Sequence, residues 1–310
     1  LEDLPGALAS GVMLKSADLL AGEWQISDSS TQRLTDKIDA NSVSLEKYVN
    51  GQFYYGIKTG LSAAFVIDEA KRSELIAADS KSTEIIRPFI KGRNIGTWRI
   101  NWNGNYLLDL RIGTSIARYP AIEAYMAGFK PQLEARNDYH PGEMTWYHLR
   151  PCDYYEVFES PKIVYQRFQV KPAFAIDTVG YFTNDAVWII GLEDYFLLGC
   201  LNSQMGWHEI SRHCSQIQNG YQLIWDYFRK VRIPTPSANL RERIAAVARA
   251  CLDAAQDHPE RLPALEAELN ALVYQAYGLD AEDIAVIEGS IGGKKGVQLS
   301  SEESESGDGG

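Results

Sequence analysis

The sequence predicts an α+β protein, in which a mixed, mostly antiparallel β domain is followed by a C-terminal antiparallel helix pair. Short runs of β-branched and aromatic residues, separated by turn residues, predict the sheet. From Ser237 onward, alanines and leucines recur at helical spacing. We therefore divide the chain into a connecting arm (1–50), the β domain (51–236), a helical spacer (237–280) and an acidic, disordered tail (281–310).

The bulk composition is that of a globular protein. Of the 310 residues, 45% are hydrophobic and 23% charged, which suffices for one or two cores. No apolar run reaches the length of a membrane span, and no signal peptide is recognisable. The four cysteines, which show no C-x-x-C spacing, favour a reducing cytoplasm. Because the chain starts at Leu1 and not at Met, we expect a fragment of a longer protein.

The net charge of −11 argues against a nucleic-acid partner when it is taken as an average. The charge is unevenly distributed, however. Residues 81–171 hold thirteen basic and nine acidic side chains, so this window carries +4 and the remainder −15. The middle of the chain is therefore its basic part.

The N-terminal elements lead to a basic loop. Residues 30–48 have helical spacing, and a strand–loop–strand unit is predicted over 53–68. Gly56 and Gly60 bound the loop, where Lys58 and Thr59 offer an ammonium and a hydroxyl to phosphate oxygens or base edges. The apolar run 63–67 has the length of a buried strand.

Turn and helix signals order the next segment. A short helix is predicted over 69–78, and a helical turn over 82–88 that Pro88 stops. Asn103-Gly104 predicts a hairpin over 98–110. Pro120 opens a helix with an apolar face that continues to Leu133.

The second half of the β domain begins with a run of strand formers at 161–177. Because Pro172 interrupts it, we expect an edge or bent strand with its polar residues facing out of the sheet. A strand over 186–190 and an apolar helix over 193–201 follow, and 202–221 reads as an ordered polar loop.

Two helices of about 20 residues, each about 30 Å long, form the spacer. Ser237 is the predicted N-cap of the first helix, and Gly278 ends the second. Their leucines and alanines are expected to be packing residues.

Catalytic motifs are missing from the sequence. It contains no G-x-G-x-x-G, no phosphate-binding P-loop, no Asn-Pro-Pro-Tyr, no G-x-S-x-G and no H-E-x-x-H. Asp68, Glu69 and Lys71 resemble half of a metal-dependent nuclease signature, but solvated helix charges are the favoured interpretation. His208, His213 and Cys214 lack metal-ligand spacing. We predict no catalytic residue, metal ligand or cofactor site in this chain.

Several motifs in order resemble a known family. They are Gly-Ile-Lys-Thr-Gly-Leu-Ser-Ala-Ala-Phe-Val-Ile-Asp (56–68), Ile-Ile-Arg-Pro-Phe-Ile-Lys-Gly-Arg-Asn-Ile (85–95), Tyr-Pro-Ala-Ile (119–122), Trp-Tyr-His-Leu-Arg (146–150), Pro-Lys-Ile-Val-Tyr (161–165), Leu-Asn-Ser (201–203), Ile-Pro-Thr-Pro (233–236) and the helix at 265–279. Together they resemble the TaqI-like C-terminal specificity domain of type IIG restriction–modification enzymes and of adenine-specific methyltransferases from phage-exclusion systems. The similarity spans about residues 20–288.

The resemblance implies that residues 51–236 are a target-recognition domain for double-stranded DNA. In such proteins an N-terminal methyltransferase domain binds S-adenosylmethionine and flips the target adenine, and some members also cleave DNA. This chain would read the sequence and leave the chemistry to that domain. The alternatives are a separate specificity subunit that docks a methyltransferase through its helix pair, and a nuclease that uses Asp68, Glu69 and Lys71.

Candidate DNA contacts follow from residue chemistry. Lys58, Thr59 and Ser62 suit phosphate contacts, together with Lys91 and Arg93; Arg87 is equally well explained as structural. Base readout requires bidentate side chains. The residues that offer them on the predicted bent strand are Gln166, Arg167, Gln169 and Lys171. Further candidates are Trp146 and Arg150, which would line the same cleft, and the polar loop residues Gln216, Gln218 and Asn219. A core position is the alternative for Trp146 and is slightly favoured.

Overall fold

The structure, a computed structural model, describes residues 29–292. Its helices are α1 (Ser29–Ala40), α2 (Leu45–Val49), α3 (Ser62–Phe65), α4 (Glu69–Ala78), α5 (Pro120–Ala127), α6 (Lys130–Glu134), α7 (Tyr155–Glu159), α8 (Tyr195–Asn202), α9 (Gln204–His213), α10 (Trp225–Phe228), α11 (Ala238–Asp257), α12 (Leu262–Tyr277) and α13 (Ala281–Gly292). Its strands are β1 (Ser42–Ser44), β2 (Phe53–Tyr55), β3 (Val66–Ile67), β4 (Ile86–Ile90), β5 (Asn105–Leu108), β6 (Lys162–Gln166), β7 (Phe168–Gln169), β8 (Phe174–Asp177), β9 (Phe182–Thr183), β10 (Val187–Ile190), β11 (Ser215–Ile217), β12 (Gly220–Gln222) and β13 (Arg232–Pro234). The predicted α+β class is confirmed.

A four-stranded antiparallel sheet, in the order β2-β10-β6-β8, lies between two hydrophobic cores. Successive strand residues point to opposite faces. Ile163 and Tyr165 therefore enter a core shared with the helices α8, α11 and α12, whereas Val164 enters the second core. Because both of its faces are buried, this sheet is the rigid frame of the molecule.

The second core lies between this frame and another four-stranded sheet, β3-β5-β4-β9. Its pairs are antiparallel except for β4 with β9, which is parallel. A three-stranded ribbon, β11-β12-β7, extends the molecule, and β1 pairs with β13. These sheets account for the mixed, mostly antiparallel pairing that the sequence predicts.

The cap predicted at Ser237 and the helix end predicted at Gly278 are both observed. The Ser237 hydroxyl accepts a hydrogen bond from the backbone N–H of Leu240 at 3.4 Å, and Gly278 ends α12 in the left-handed conformation. Helix α12 is joined to the first core by the indole N–H of Trp98, which donates to Glu266 Oε1 at 2.8 Å. The spacer and the β domain therefore share one core.

Three local predictions in the first half of the β domain are wrong. Residues 62–65 form a helical turn, so the predicted strand is reduced to β3. The predicted helical turn is present as a 3-10 helix, Ser80–Ile85, but Pro88 does not stop it. Pro88 lies inside β4, because pairing with β9 begins only at Phe89 and Pro88 needs no donor on that side. Residues 98–104 do not pair with β5, which instead lies between β3 and β4, so the predicted hairpin is absent from 98–110.

Three further predictions are corrected nearer the C-terminus. Strand β6 is a central strand, since Pro172 falls in the loop before β8 and interrupts no pairing. The segment predicted as a polar loop contains helix α9 and the β11–β12 hairpin. The segment predicted as a disordered tail begins with helix α13, which Lys37 and Arg33 of α1 hold through ion pairs to Asp283. The predictions for residues 1–28 and 293–310 lie outside the described residues.

Among residues 29–292, every helix is too short or too polar to cross a membrane, including the longest, α11.

Candidate nucleic-acid interface

A tight turn, residues 183–187, joins two segments that are distant in sequence. On one side it binds the loop 56–60, because the backbone N–H groups of Gly56 and Ile57 donate to the carbonyls of Val187 at 2.9 Å and Thr183 at 2.7 Å. Gly56 is tightly enclosed: a Cβ there would lie 1.9 Å from the Asn184 carbonyl oxygen. The turn therefore fixes the position of the loop that carries Lys58.

On its other side the same turn binds the Lys91–Arg93 loop and the end of β6. The backbone N–H of Arg167 donates to the Ala186 carbonyl at 3.2 Å. A Cβ on Gly92 would lie 3.3 Å from Gln166 Cβ and 3.7 Å from Ala186 Cβ. Two of the motifs singled out in the sequence thus meet at one end of the central sheet.

Arg136 anchors the loop 56–60 from beneath. Its buried guanidinium donates to the carbonyl oxygens of Thr59, at 3.2 Å, and His148, at 3.0 Å. Burial lowers the pKa of this guanidinium. The Thr59 side chain is 6% exposed, and its hydroxyl lies 3.1 Å from that of exposed Ser62. Lys58 is exposed at the loop surface, so it is the side chain of this loop best placed for a ligand.

The segment after β6 contains both exposed side chains and a buried side chain with a structural role. Arg167 and Lys171 are exposed, and Gln166 is half-buried against Gly92. Gln169 is 1% exposed, and its amide bonds the backbone of Ala173 and Gln166. The Gln169 amide therefore holds the bend between β7 and β8, whereas its neighbours point outward.

Six cations of the loop 56–60 and of the segments 91–99 and 167–171 form no ion pair with any residue between 29 and 292. They are Lys58, Lys91, Arg93, Arg99, Arg167 and Lys171. Most other arginines of the described chain are paired, as Arg111 is with Asp109. Arg87 pairs with Asp109 and Arg150 with Asp138, and Trp146 is half-buried beside Lys130. Unpaired cations that remain exposed are available to an anionic partner.

The surface is also depleted of acidic residues. Residues 85–108, 160–176 and 210–225 contain no Asp or Glu, although the whole chain carries −11. These stretches meet in space: the Trp98 backbone N–H donates to Phe174, and β7 pairs with β12. Exposed Asp185, in the tight turn, lies at the border. We define the "basic face" as the exposed surface of these three stretches together with the loop 56–60.

Sequence reasoning missed Arg99, which lies in the loop anchored by Trp98. No motif marks Arg99, but the length of the surrounding acid-free stretch is a signal that was available in the sequence.

The residues considered for metal chemistry are engaged in local structure. Asp68 caps α4 by accepting from the Lys71 backbone N–H at 2.8 Å, and Glu69 accepts from Arg72 and Tyr106. His208 faces Ser290, at 3.2 Å. Across residues 29–292, no group of three or more His, Cys, Asp or Glu side chains is arranged to hold a metal ion.

Comparison with known proteins gives a family match that overlaps the basic face. Residues 87–226 match the family model of the TaqI-like C-terminal specificity domain. This stretch of the chain is similar to that specificity domain. The match contains all three acid-free stretches almost entirely, whereas the loop 56–60 precedes it. A search of curated proteins found no match.

The fold of this chain is shared by a solved structure. The type IIL restriction–modification enzyme MmeI, whose structure was determined in complex with DNA, aligns with a TM-score of 0.60 at 14% identity over 79% of this chain. The type IIG restriction endonuclease BpuSI aligns over 81% of the chain with a TM-score of 0.43 at 14% identity. The chain spans 36% of the MmeI chain and 33% of the BpuSI chain.

Proposed function

We propose that this chain recognises a specific sequence in double-stranded DNA, as the specificity domain of an adenine-N6 DNA methyltransferase or type IIG restriction–modification enzyme. The observation that carries the proposal is the basic face, with its six unpaired cations in a chain of net charge −11. Phosphate contacts by Lys and Arg supply most of the affinity of proteins for DNA. The specificity-domain match and the fold shared with MmeI support the same function.

In this proposal the chemistry belongs to a neighbouring methyltransferase domain, which would hold S-adenosylmethionine. The specificity domain would position the DNA: the basic face would hold the duplex while the neighbouring domain takes the adenine out of the stack. The conclusion for this chain is therefore DNA recognition without catalysis.

Salt-dependent binding tests the phosphate contacts. We expect the 310-residue chain to bind duplex DNA in a fluorescence anisotropy assay, with log K falling linearly with log salt concentration. A Lys58→Ala/Arg93→Ala double variant should weaken binding to all sequences alike and reduce the slope by about two, since each phosphate contact contributes about one.

A matched control removes the same charge elsewhere. Lys47 and Arg243 are exposed cations without an ion pair to any described residue, and they lie on helices α2 and α11 outside the basic face. A Lys47→Ala/Arg243→Ala variant should keep the wild-type slope. Equal losses in both double variants would mean that binding follows net charge alone, and the assignment of the basic face would be wrong.

The adenine assignment needs a separate measurement. Methylome sequencing of cells that express the full-length gene product should show N6-methyladenine at one sequence motif. Methylated cytosine, or no methylation, would refute this part of the proposal without affecting DNA binding.

The helix pair does not favour the docking alternative. Leu269, Leu272 and Val273 of α12 and Ala248 and Cys251 of α11 are buried in the first core. These apolar side chains are therefore occupied within the chain and are not available to a separate methyltransferase.

A further inference from the structure

We infer that the β11–β12 hairpin, residues 215–222, enters the major groove and reads an A·T base pair. This inference rests on the proposed function and assigns a specificity element to it. The major groove of B-DNA admits a two-stranded β-ribbon, and each base pair presents a distinct pattern of donors and acceptors there.

The hairpin is built as a projecting ribbon. All of β11 is exposed, as are the two turn residues, Gln218 and Asn219. The amides of Gln216, Gln218 and Asn219 form no hydrogen bond with any described residue. Free amides on an exposed ribbon are available to base edges.

The base of the hairpin is rigid. Tyr221 pairs with Gln169 and packs edge-on against Trp207, with ring centroids 5.2 Å apart. Gly220 lets Gln169 approach closely, because a Cβ at this position would lie 2.4 Å from the Gln169 carbonyl oxygen. The Leu223 backbone N–H donates to the Arg167 carbonyl at 2.7 Å. The tip is therefore held at a fixed position relative to the cations of the basic face.

Cross-strand pairing places apolar side chains on the outer face of the ribbon. Phe168 pairs with Gln222, and Ile217 with Gly220, so all four positions share one face. Phe168 and Ile217 are 36% and 40% exposed. The turn amides of Gln218 and Asn219 follow Ile217 directly, and together they match the thymine methyl group beside the adenine edge. Gln216 pairs with Tyr221 and lies on the opposite face of the ribbon.

The chemistry of the hairpin selects A·T over G·C. Gln and Asn bind adenine N6 and N7 in a bidentate manner, whereas guanine is read by Arg or Lys and cytosine by Asp or Glu. Residues 215–222 contain none of those four charged types. Gln218 also has a φ of +52°, where glycine is favoured. The tip therefore carries an amide side chain in a backbone conformation that residues with a Cβ rarely adopt.

The test combines side-chain variants with base analogues. The 310-residue chain would first be used to select its preferred site from a library of randomised duplexes. Each A·T pair of that site would then be replaced by inosine·cytosine, which keeps the minor-groove pattern of A·T but presents the major-groove pattern of G·C. Gln216→Ala and Gln218→Gly would be compared with Gln275→Ala, an exposed glutamine on α12, with circular dichroism as the check on folding.

We expect inosine·cytosine at one A·T position to weaken wild-type binding about 10-fold, the effect of losing one bidentate contact. The Gln216→Ala or Gln218→Gly variant should no longer distinguish the two duplexes, while Gln275→Ala should distinguish them fully. Tolerance of inosine·cytosine at every A·T position, or unchanged discrimination by both hairpin variants, would overturn the inference and leave DNA recognition intact. Absence of any duplex binding would refute the proposed function itself, and this inference with it.

Discussion

Gly56→Ala is the substitution for which the structure gives the clearest expected cost. The new Cβ would lie 1.9 Å from the Asn184 carbonyl oxygen and 2.4 Å from its carbon, and both are backbone atoms that cannot rotate away. Relief of this contact must separate the loop 56–60 from the tight turn. The hydrogen bonds at risk are those from Gly56 to Val187, at 2.9 Å, and from Ile57 to Thr183, at 2.7 Å.

Each of these bonds contributes about 1 kcal/mol, and the buried groups left unsatisfied add a further cost of about 1–3 kcal/mol. We therefore expect Gly56→Ala to lower the free energy of unfolding by about 3–5 kcal/mol, measured by urea denaturation with circular dichroism. Affinity for duplex DNA should also fall under native conditions, because Lys58 moves with the loop.

The control for this experiment is Gly289→Ala, the same substitution within helix α13. A Cβ at Gly289 would contact nothing within 4 Å, and alanine is the better helix former by about 1 kcal/mol. This variant should be as stable as the wild type or slightly more stable. If Gly56→Ala kept the wild-type unfolding free energy and DNA affinity, the close approach of the loop to the tight turn would not be what holds Lys58 in place.

Three other predictions concern stability. Gln218→Gly should raise the free energy of unfolding by about 1 kcal/mol in urea denaturation, because glycine tolerates the positive φ at the hairpin tip; a loss of stability would contradict the strain argument. Trp98→Phe should lower the free energy of unfolding by about 2 kcal/mol, because the hydrogen bond to Glu266 is lost and the packing becomes imperfect. Trp102→Phe, at an exposed site, should lower it by less than about 1 kcal/mol. Equal losses in the two variants would show that the contact between Trp98 and Glu266 contributes nothing. Burial lowers the pKa of His208 from its usual 6.5 to about 4, so the unfolded chain binds the proton first, and stability should fall by up to about 3 kcal/mol between pH 6.5 and pH 4. The charges of Glu209, Arg212 and His213 also act on His208, so the difference between wild type and His208→Gln isolates the effect. Parallel pH profiles of the two proteins would refute it.

Helices were predictable from the sequence where capping signals coincide with a periodic apolar face. Helix α4 has the predicted limits because Asp68 caps it, and α11 because Ser237 does. The short strands were less predictable, because sheet order decides them and local signals do not. Asn103-Gly104 carries the strongest hairpin signal but forms no hairpin, whereas Gln218-Asn219 carries a weak one and does.

The candidate interface was also only partly predictable from the sequence. Residue chemistry was sufficient to single out Lys58, Arg93 and Arg167, all of which are exposed. It was not sufficient to separate Gln166 from Gln169, because the burial of Gln169 results from a bond between its own amide and the Ala173 backbone N–H. The sequence also gave no sign that the turn 183–187 would bring these segments together, since that contact depends on the order of strands in two sheets.

The position of the basic face on the frame has a consequence for how such a domain can change its specificity. Strands β6 and β10 are buried on both faces, so their residues are constrained by packing. Lys58, Arg93, Arg167 and Gln216 project from the loops and the ribbon at the end of that frame and are exposed, so substitutions there remove no core contact. Surface substitutions of this kind usually change stability by less than about 0.5 kcal/mol. Under the proposed function, contacts with DNA can therefore vary at these positions while the fold that presents them stays the same.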